Sequence, residues 1–313
     1  METKLSQFIH DAIESQPISG TSLISSLYGD ALHHRGGEVW LGSLTKLLEP
    51  MGFSDRFVRT SVFRLQKENW LDVEKIGRRS YYRISERGQN RFRRAESKIY
   101  LSEQPEWDGA WDLLLLESAD KDEKIRLKKE FGWLGFGQFN SSLMAAPSRT
   151  QSDIPALLGE LNAADQVIYF RANYPFNRSE KKLKELVFDA WSLPEISDHY
   201  HQFINLFRPV ALLLKEHGEQ MISPELCFQL RLLLIHFYRR VILKDPLLPD
   251  ELLPAQWEGH IARHLCTNIY QRIDQGATQY VTNLCETTVG ELPQPSSAYY
   301  RRFGGILREQ AAA

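Results

Sequence analysis

Residues 54–69 read SDRFVRTSVFRLQKEN, and this segment has the pattern of a helix with two different faces. Ser54 followed by Asp55 provides a helix N-cap with an acid in the first turn. At about 100° per residue, one face collects the apolar residues Val58, Val62 and Leu65. The opposite face collects Arg56, Thr60, Phe63 and Lys67, with Arg59 and Arg64 on its flanks. The segment is therefore predicted to pack through its apolar face and to present hydrogen-bond donors to a partner.

The neighbouring sequence predicts that this helix belongs to a winged helix-turn-helix. Apolar residues at helical spacing indicate two earlier helices, at 18–33 and 40–49. Residues rich in β-branched and aromatic side chains indicate two later strands, at 71–76 and 80–84. The residues between these strands are Gly77-Arg78-Arg79, so the hairpin carries two arginines at its tip, and a basic helix follows at 85–98. Residues 1–100 are therefore predicted to form one DNA-binding domain.

The charge distribution also favours nucleic acid as the partner. Residues 54–98 contain thirteen Lys and Arg against six acids, a net charge of +7, whereas the whole chain carries −2, which leaves −9 for the rest. A recognition helix needs donors for base edges and phosphates, and arginine suits both. The predicted DNA-binding residues are Arg56, Arg59, Thr60, Phe63, Arg64, Lys67, Arg78 and Arg79. Phe63 could instead pack against another part of the protein, and a helical bundle with a merely solvated basic face is the alternative to DNA binding.

Composition places the chain among ordinary globular proteins. Its 313 residues, 42% hydrophobic and 25% charged, are enough for two or three domains. No apolar run reaches the length of about 20 residues that spans a bilayer, and the first fifteen residues lack the features of a signal peptide. The three cysteines, Cys227, Cys266 and Cys285, form no CxxC pair. We expect a cytoplasmic protein, without a membrane partner, whose cysteines are reduced and structural.

The remaining sequence predicts two further domains. After a linker at 101–108, strands and helices alternate in the order of a ferredoxin-like fold, at 111–116, 121–131, 134–145, 154–161 and 167–172. From 179 onward the patterns are helical, at 181–191, 196–214, 224–244 and 258–273. The predicted fold is thus α+β and multidomain. Its domains are a winged helix-turn-helix at 1–100, a ferredoxin-like domain at 101–178 and a helical domain at 179–313.

Motifs for enzymatic chemistry are weak throughout. Glu117, Asp120 and Asp122 follow the first strand of the middle domain and could hold Mg²⁺, so a metal-dependent nuclease is the alternative function. His260 and His264 have the i, i+4 spacing of metal ligands, with Cys266 and His236 as further candidates, but no established zinc spacing supports them. His33 and His34 are adjacent, and adjacent residues of a regular helix do not face one ligand. We therefore predict no catalytic residues, no metal and no cofactor.

One segment of the helical domain has the composition of a ligand site. Residues 236–240 read HFYRR and precede a proline-rich stretch at 245–254. Aromatic and basic side chains beside an irregular apolar segment would suit an acidic ligand with an aromatic part, or a subunit interface. Ordinary packing between helices, with solvated arginines, is the other interpretation. The candidate ligand-binding residues are His236, Tyr238, Arg239 and Arg240.

Four sequence motifs resemble those of the PaaX family of phenylacetate-catabolism repressors. They are SLISSLYGD at 22–30, RGGEVWLGSL at 35–44, RFVRT at 56–60 and KDPLLPDELLP at 244–254. The resemblance extends from about residue 18 to 305. It implies a winged helix at the N-terminus, a middle domain similar to the Cas2 fold and a helical C-terminal domain. It further implies repression of a phenylacetate-degradation operon, with phenylacetyl-CoA as the inducer that releases the protein from double-stranded operator DNA. A homodimer that binds a palindrome is the usual helix-turn-helix arrangement and is expected here.

Overall fold

A computed structural model of the chain describes residues 1–103, 106–117, 120–148, 154–173, 180–217 and 222–306. Contacts divide the chain into two compact units. The first contains Met1–Ser102, His201–Leu243 and the residues from Gly259 onward, and the second contains Glu103–Tyr200 and Lys244–Glu258. The first division, after Ser102, lies close to the boundary predicted at residue 100. The helices after His201 belong to the same unit as the N-terminal residues, and the division into three domains stays a prediction.

The N-terminal hundred residues form five helices and a three-stranded sheet. The helices are α1 (Glu2–Ser15), α2 (Gly20–Leu27), α3 (Leu41–Leu48), α4 (Asp55–Lys67) and α5 (Glu86–Ile99). The strands are β1 (Glu38–Trp40), β2 (Leu71–Ile76) and β3 (Arg79–Ile84), which pair antiparallel in the order β1-β3-β2. The sequence patterns thus located α3, α4, α5 and the hairpin, but they did not predict α1 or β1.

The predicted helix at 18–33 is shorter and less regular than expected. After α2, the chain forms a π-helical turn at Tyr28–Leu32 and a 3-10 turn at His33–Arg35. Gly36 and Gly37 follow with φ of 86° and 69°, a backbone region that favours glycine. The chain therefore reverses here and enters β1 as an extended segment.

The middle of the chain forms a four-stranded antiparallel sheet with two helices between its strands. The strands are β4 (Ala110–Leu116), β5 (Gly137–Gln138), β6 (Leu143–Pro147) and β7 (Val167–Asn173), and the helices are α6 (Lys121–Trp133) and α7 (Ile154–Glu160). The strand order β5-β6-β4-β7 and the chain order β-α-β-β-α-β are those of a ferredoxin-like domain, so this prediction is confirmed. Leu114, Leu127 and Phe131 are fully buried in its core.

The rest of the chain is largely helical. Its helices are α8 (Glu180–Ala190), α9 (Leu193–Glu216), α10 (Pro224–Ile242) and α11 (Glu258–Leu284). Helix α11 is longer than the predicted segment at 258–273. A small hairpin of β8 (Glu286–Thr287) and β9 (Gly290–Glu291), and a 3-10 segment at Tyr299–Gly304, were not predicted. Among the described residues, no helix combines the length and the apolar composition that a membrane-spanning segment needs.

Candidate nucleic-acid interface

Helix α4 has the two faces that its sequence predicts. The Ser54 side chain caps the helix by accepting a hydrogen bond from the Phe57 N–H at 3.2 Å. Val58 and Val62 are fully buried and Leu65 is nearly so, on the side where α4 packs against α2 and α3. This inner face fixes the rotation of α4 and therefore which side chains its outer face presents.

Every predicted DNA-contacting residue of α4 lies on the exposed side. These residues are Arg56, Arg59, Thr60, Phe63, Arg64 and Lys67. Arg59 Nε donates to Asp55 Oδ2 at 2.5 Å, and this bond lowers the pKa of the Asp55 carboxyl group. Phe63 is 49% exposed, and the Lys67 Nζ lies 4.8 Å from its ring centroid, a cation–π distance. The aromatic ring thus shares the outer face with the cations.

The hairpin between β2 and β3 presents the second basic group. Gly77 has φ of 59°, and Arg78 and Arg79 are both exposed at the turn. The Arg79 guanidinium lies 4.4 Å from the Trp40 ring centroid, and its Nη1 donates to Glu286 Oε2 at 2.5 Å. The structure therefore holds Arg79 against β1 and β8, whereas Arg78 makes no ion pair within the described residues.

Sequence reasoning missed the residues that support this hairpin. Trp40, predicted as the first residue of a helix, ends β1 and stacks on Arg79. Glu38 accepts a hydrogen bond from Arg83, and it also accepts from the Thr288 N–H at 2.8 Å and the Thr288 hydroxyl at 2.6 Å. These bonds oppose the effect of burial and lower the pKa of Glu38. No local sequence pattern predicts these hydrogen bonds, because Glu38 and Thr288 are 250 positions apart.

A buried cluster of charges connects the turn after α2 and the end of α5 to helices α10 and α11. Asp30, in the π-helical turn, is 3% exposed, and its Oδ2 lies 2.9 Å from Arg231 Nε. Its Oδ1 accepts hydrogen bonds from the hydroxyls of Tyr100, at 2.7 Å, and Tyr270, at 2.9 Å. Arg302 completes the cluster, since its Nη1 donates to the Asp30 carbonyl oxygen at 2.7 Å.

The second half of the cluster neutralises Arg231. Its Nη1 donates to Asp274 Oδ1 at 3.0 Å and to the Tyr299 hydroxyl at 3.0 Å. Burial alone would lower the pKa of Arg231, but Asp30 and the neighbouring groups raise it well above the ordinary value. The pKa of Arg302 is raised in the same way, so Arg231 and Arg302 both remain charged inside the protein. A cation at position 231, within the apolar run at 226–238, was the sequence signal that could have indicated such a cluster.

The structure brings together two of the four candidate ligand residues on α10. His236 is 1% exposed, and its Nδ1 is 3.2 Å from the Ser26 hydroxyl of α2. Arg239 Nη2 donates to the Ser22 hydroxyl at 3.5 Å. Tyr238 is instead buried, with its ring centroid 5.3 Å from that of Phe203, and Arg240 is exposed. The four side chains do not converge on one pocket.

Burial shifts the pKa of both residues that face α2. It lowers the pKa of His236 to about 3, helped by the charges of Arg239 and Arg240, and lowers that of Arg239 to about 10. The cavity beside Arg239 measures only about 20 Å³, which is room for one water molecule. A phenyl ring does not fit there without a rearrangement.

A larger groove lies between α9 and α11. Its volume is about 500 Å³, and apolar and basic residues line it together: Ala211, Leu212, Leu214, Lys215, Asn268, Ile269 and Arg272. Leu212 is 61% exposed within this groove. The volume falls within the usual range for small-molecule sites, about 300–1,000 Å³.

The acids considered for a nuclease do not form a metal site. Glu117, Asp120 and Asp122 are exposed, and Asp120 Oδ1 accepts a hydrogen bond from the Asp122 N–H at 2.9 Å as the N-cap of α6. Among the described residues, none of these acids belongs to a group of three side chains that could share an ion. The nuclease alternative therefore has no support from the geometry.

The histidine and cysteine candidates are also dispersed. His264 is exposed on α11, Cys266 is fully buried, and His236 is bonded to Ser26. Cys227, Cys266 and Cys285 are free and buried, as predicted, and burial raises the pKa of the Cys227 thiol to about 11.

Three segments of the chain match known protein families. Residues 19–88 match the PaaX-like protein family, residues 104–185 the PaaX protein central Cas2-like domain, and residues 191–283 the PaaX-like protein C-terminal domain. The chain is 56% identical over 310 residues to the transcriptional repressor PaaX of Escherichia coli strain K12, an alignment that covers 99% of this chain and 98% of the relative.

A solved structure of an uncharacterized protein from Mycobacterium tuberculosis is also similar. The two share 22% identity and a TM-score of 0.49, over 75% of this chain and 90% of that one. The three matched segments follow one another along the chain, and together with the near-complete alignment with the E. coli repressor they identify the family. This family is regulatory rather than enzymatic. The chain belongs to the PaaX family of transcription regulators.

Proposed function

We propose that this protein is a repressor of phenylacetate-degradation genes, and that phenylacetyl-CoA releases it from its operator. The observation that carries DNA binding is the outer face of α4, where four exposed arginines and lysines flank Thr60 and Phe63 beside the basic hairpin. The E. coli relative is a transcriptional repressor. Helices α2 to α4 and the sheet β1-β3-β2 act as a winged helix-turn-helix in this proposal.

In the proposed complex, α4 enters the major groove and the hairpin lies along the neighbouring backbone. Arg56, Arg59 and Thr60 near the N-terminus of α4 would contact base edges, as residues at that end of a recognition helix usually do. Lys67, at the other end, and Arg78, on the hairpin, would contact phosphates. A homodimer would place two such helices about one helical turn of DNA apart.

The groove between α9 and α11 is the proposed site for phenylacetyl-CoA. Its apolar floor at Leu214 and Ile269 suits a phenyl ring, and Lys215 and Arg272 at its rim suit the phosphates of CoA. We favour this groove over the segment at 236–240 because the cavity beside Arg239 measures only about 20 Å³; ligand binding by His236, Tyr238, Arg239 and Arg240 stays a prediction. The inducer must bind the DNA-free conformation more tightly, since a ligand with equal affinity for both states shifts neither.

Helix α11 offers a physical route from this groove to the DNA-binding module. Ile269 and Arg272 line the groove, while Tyr270 and Asp274 on the same helix bond to Asp30 and Arg231. A shift of α11 on ligand binding would therefore disturb the turn that follows α2. In this proposal the network would adopt two arrangements, one with and one without the ligand, and so couple the two sites.

DNA binding is tested by fluorescence anisotropy on duplex from upstream of the phenylacetate-degradation genes. Arg59→Ala should weaken binding about 5- to 150-fold, the effect of about 1–3 kcal/mol for one lost contact. Arg126→Ala is the matched control, because Arg126 is also an exposed helical arginine, paired with Glu123 as Arg59 is with Asp55. Equal affinities of the two variants would reject α4 as the reading helix.

The role of the hairpin and that of the inducer need separate measurements. Arg78→Ala combined with Arg79→Ala should reduce the salt slope of binding by about 1 to 2, one per phosphate contact.

Phenylacetyl-CoA, but not free CoA, should release the wild-type complex, and Arg272→Ala should raise the concentration required. A complex that persists at saturating phenylacetyl-CoA would reject the inducer, whereas normal release from Arg272→Ala would reject only the groove.

A further inference from the structure

The two adjacent histidines after α2 meet a glutamate of α5. His33 and His34 lie in a 3-10 turn rather than a regular helix, with ring centroids 4.8 Å apart. Both rings face Glu96: His33 Nδ1 is 3.5 Å from Glu96 Oε2, and His34 Nε2 is hydrogen-bonded to Glu96 Oε1. The sequence-based interpretation assumed that His33 and His34 lie in a regular helix, and that assumption was wrong, because the 3-10 turn brings both rings to Glu96.

One ring nitrogen of His33 is hydrogen-bonded and the other is not. Its Nε2 lies 2.9 Å from the Gln89 Oε1, which can only accept, so this nitrogen carries the proton in the neutral ring. The opposite nitrogen, Nδ1, is buried and has no hydrogen-bond partner among the described residues, and the side chain is only 8% exposed. In the neutral ring this nitrogen is an acceptor 3.5 Å from a carboxylate oxygen, and either a proton or a metal cation between the two atoms would stabilise the arrangement.

We propose that His33, His34 and Glu96 bind a divalent transition-metal ion such as Zn²⁺. Each side chain offers one ligand atom, and these atoms lie within 4.8 Å of one another, the one such group of three among the described residues. Zinc at about 2.0–2.1 Å from each nitrogen and oxygen requires separations of about 3.3 Å between ligand atoms. The most widely separated pair, at up to 4.8 Å, must therefore close by up to about 1.5 Å. Two imidazoles and a carboxylate are a known zinc donor set.

The surroundings of the site are those of a metal centre. A metal-bound histidine usually has its second nitrogen fixed by a hydrogen bond, and both rings meet this condition. Gln89 holds His33, and the Ser296 hydroxyl lies 3.0 Å from His34 Nδ1. Arg302 Nε donates to Glu96 Oε1 at 3.3 Å, so the metal would use Oε2 and leave the arginine its partner.

A metal here would act on the DNA-binding module rather than on a substrate. It would join the turn after α2 to α5 and, through Ser296, to the segment that follows β9. It would also lie next to the buried cluster, because Glu96 and Asp30 both contact Arg302. The ion would therefore stabilise the module and the connection to α11.

The test uses the full-length, untagged protein, stripped with a chelator and then titrated with Zn²⁺ and Co²⁺. The wild type should bind one ion per chain, with a visible Co²⁺ spectrum and a higher melting temperature with Zn²⁺. His33→Ala and Glu96→Gln should each weaken binding at least tenfold, and Glu96→Gln keeps the shape and most hydrogen bonds of the side chain. His264→Ala is the matched control, because it removes the exposed histidine of the α11 pair.

Each outcome decides the proposal. Loss of the ion in His33→Ala and Glu96→Gln but not in His264→Ala supports it. Absence of stoichiometric binding by the wild type overturns it, as does equal binding by all the variants. Circular dichroism of Glu96→Gln identical to that of the wild type would exclude misfolding as the cause of any loss.

Discussion

Replacement of Asp30 by asparagine should destabilise the protein far more than the same change at an exposed aspartate. Asp30 is 3% exposed and its carboxylate faces Arg231, at 2.9 Å, and Arg302, at 3.4 Å. The asparagine side chain would keep the volume but remove the negative charge. The buried guanidinium groups of Arg231 and Arg302 would then each lose one of their carboxylate partners.

The expected cost follows from the partners that remain. Breaking a buried ion pair by removing one partner costs about 3–5 kcal/mol. Arg231 keeps Asp274 and Arg302 keeps Glu96, which places Asp30→Asn at the lower end, about 3 kcal/mol. The denaturant slope in urea is about 2–3 kcal/mol/M, so the midpoint should fall by about 1 M.

Asp55→Asn provides the matched control. It also removes a carboxylate bonded to an arginine, Arg59, but both side chains are at least half exposed. An exposed pair contributes at most about 1 kcal/mol, which corresponds to a midpoint shift of about 0.4 M or less. Urea denaturation followed by circular dichroism measures both variants. Equal midpoints for Asp30→Asn and Asp55→Asn would refute the idea that the buried cluster stabilises the fold.

Two further predictions concern pH and backbone packing. Burial lowers the pKa of His236 from 6.5 to about 3, so below pH 6.5 the unfolded chain takes up a proton that the folded chain does not. The free energy of unfolding should therefore fall by up to about 1.4 kcal/mol for each pH unit below 6.5. His236→Asn should reduce this pH dependence, as measured by urea denaturation at pH 5 to 7. An unchanged slope would show that His236 does not contribute. Gly88→Ala would place a Cβ 2.3 Å from the Trp70 carbonyl oxygen and should cost about 1–3 kcal/mol in thermal melts. Gly132→Ala, in α6 with open space around it, should instead stabilise the protein by about 0.5–1 kcal/mol. If both variants lower the melting temperature, the contact with the Trp70 carbonyl oxygen is not the cause of the loss at Gly88.

Local periodicity was sufficient for the elements that carry the proposed DNA contacts. The spacing of Val58, Val62 and Leu65 defines the buried face of α4, and a helix then places Arg56 and Lys67 opposite, whatever the helix packs against. The same holds for the ferredoxin-like domain, where the order of strands and helices along the chain was enough to indicate the sheet topology.

Local periodicity was insufficient where irregular backbone matters. The turns after α2 deviate from a regular helix, so the side chains at 28–35 do not follow the helical spacing assumed from sequence. This is why the convergence of His33 and His34 on Glu96 was not foreseen. Strand β1 was missed for a related reason, since its three residues are too few to show an alternating pattern.

The amino-acid sequence by itself indicated the family, most of the longer helices and strands, and the basic outer face of α4, because these depend on residue types and on spacing within one element. Only the tertiary structure decided which charges meet inside the protein. Asp30, Arg231 and Arg302 are separated by up to 272 positions, and the pairing of such distant residues depends on how the helices pack, which no local pattern encodes.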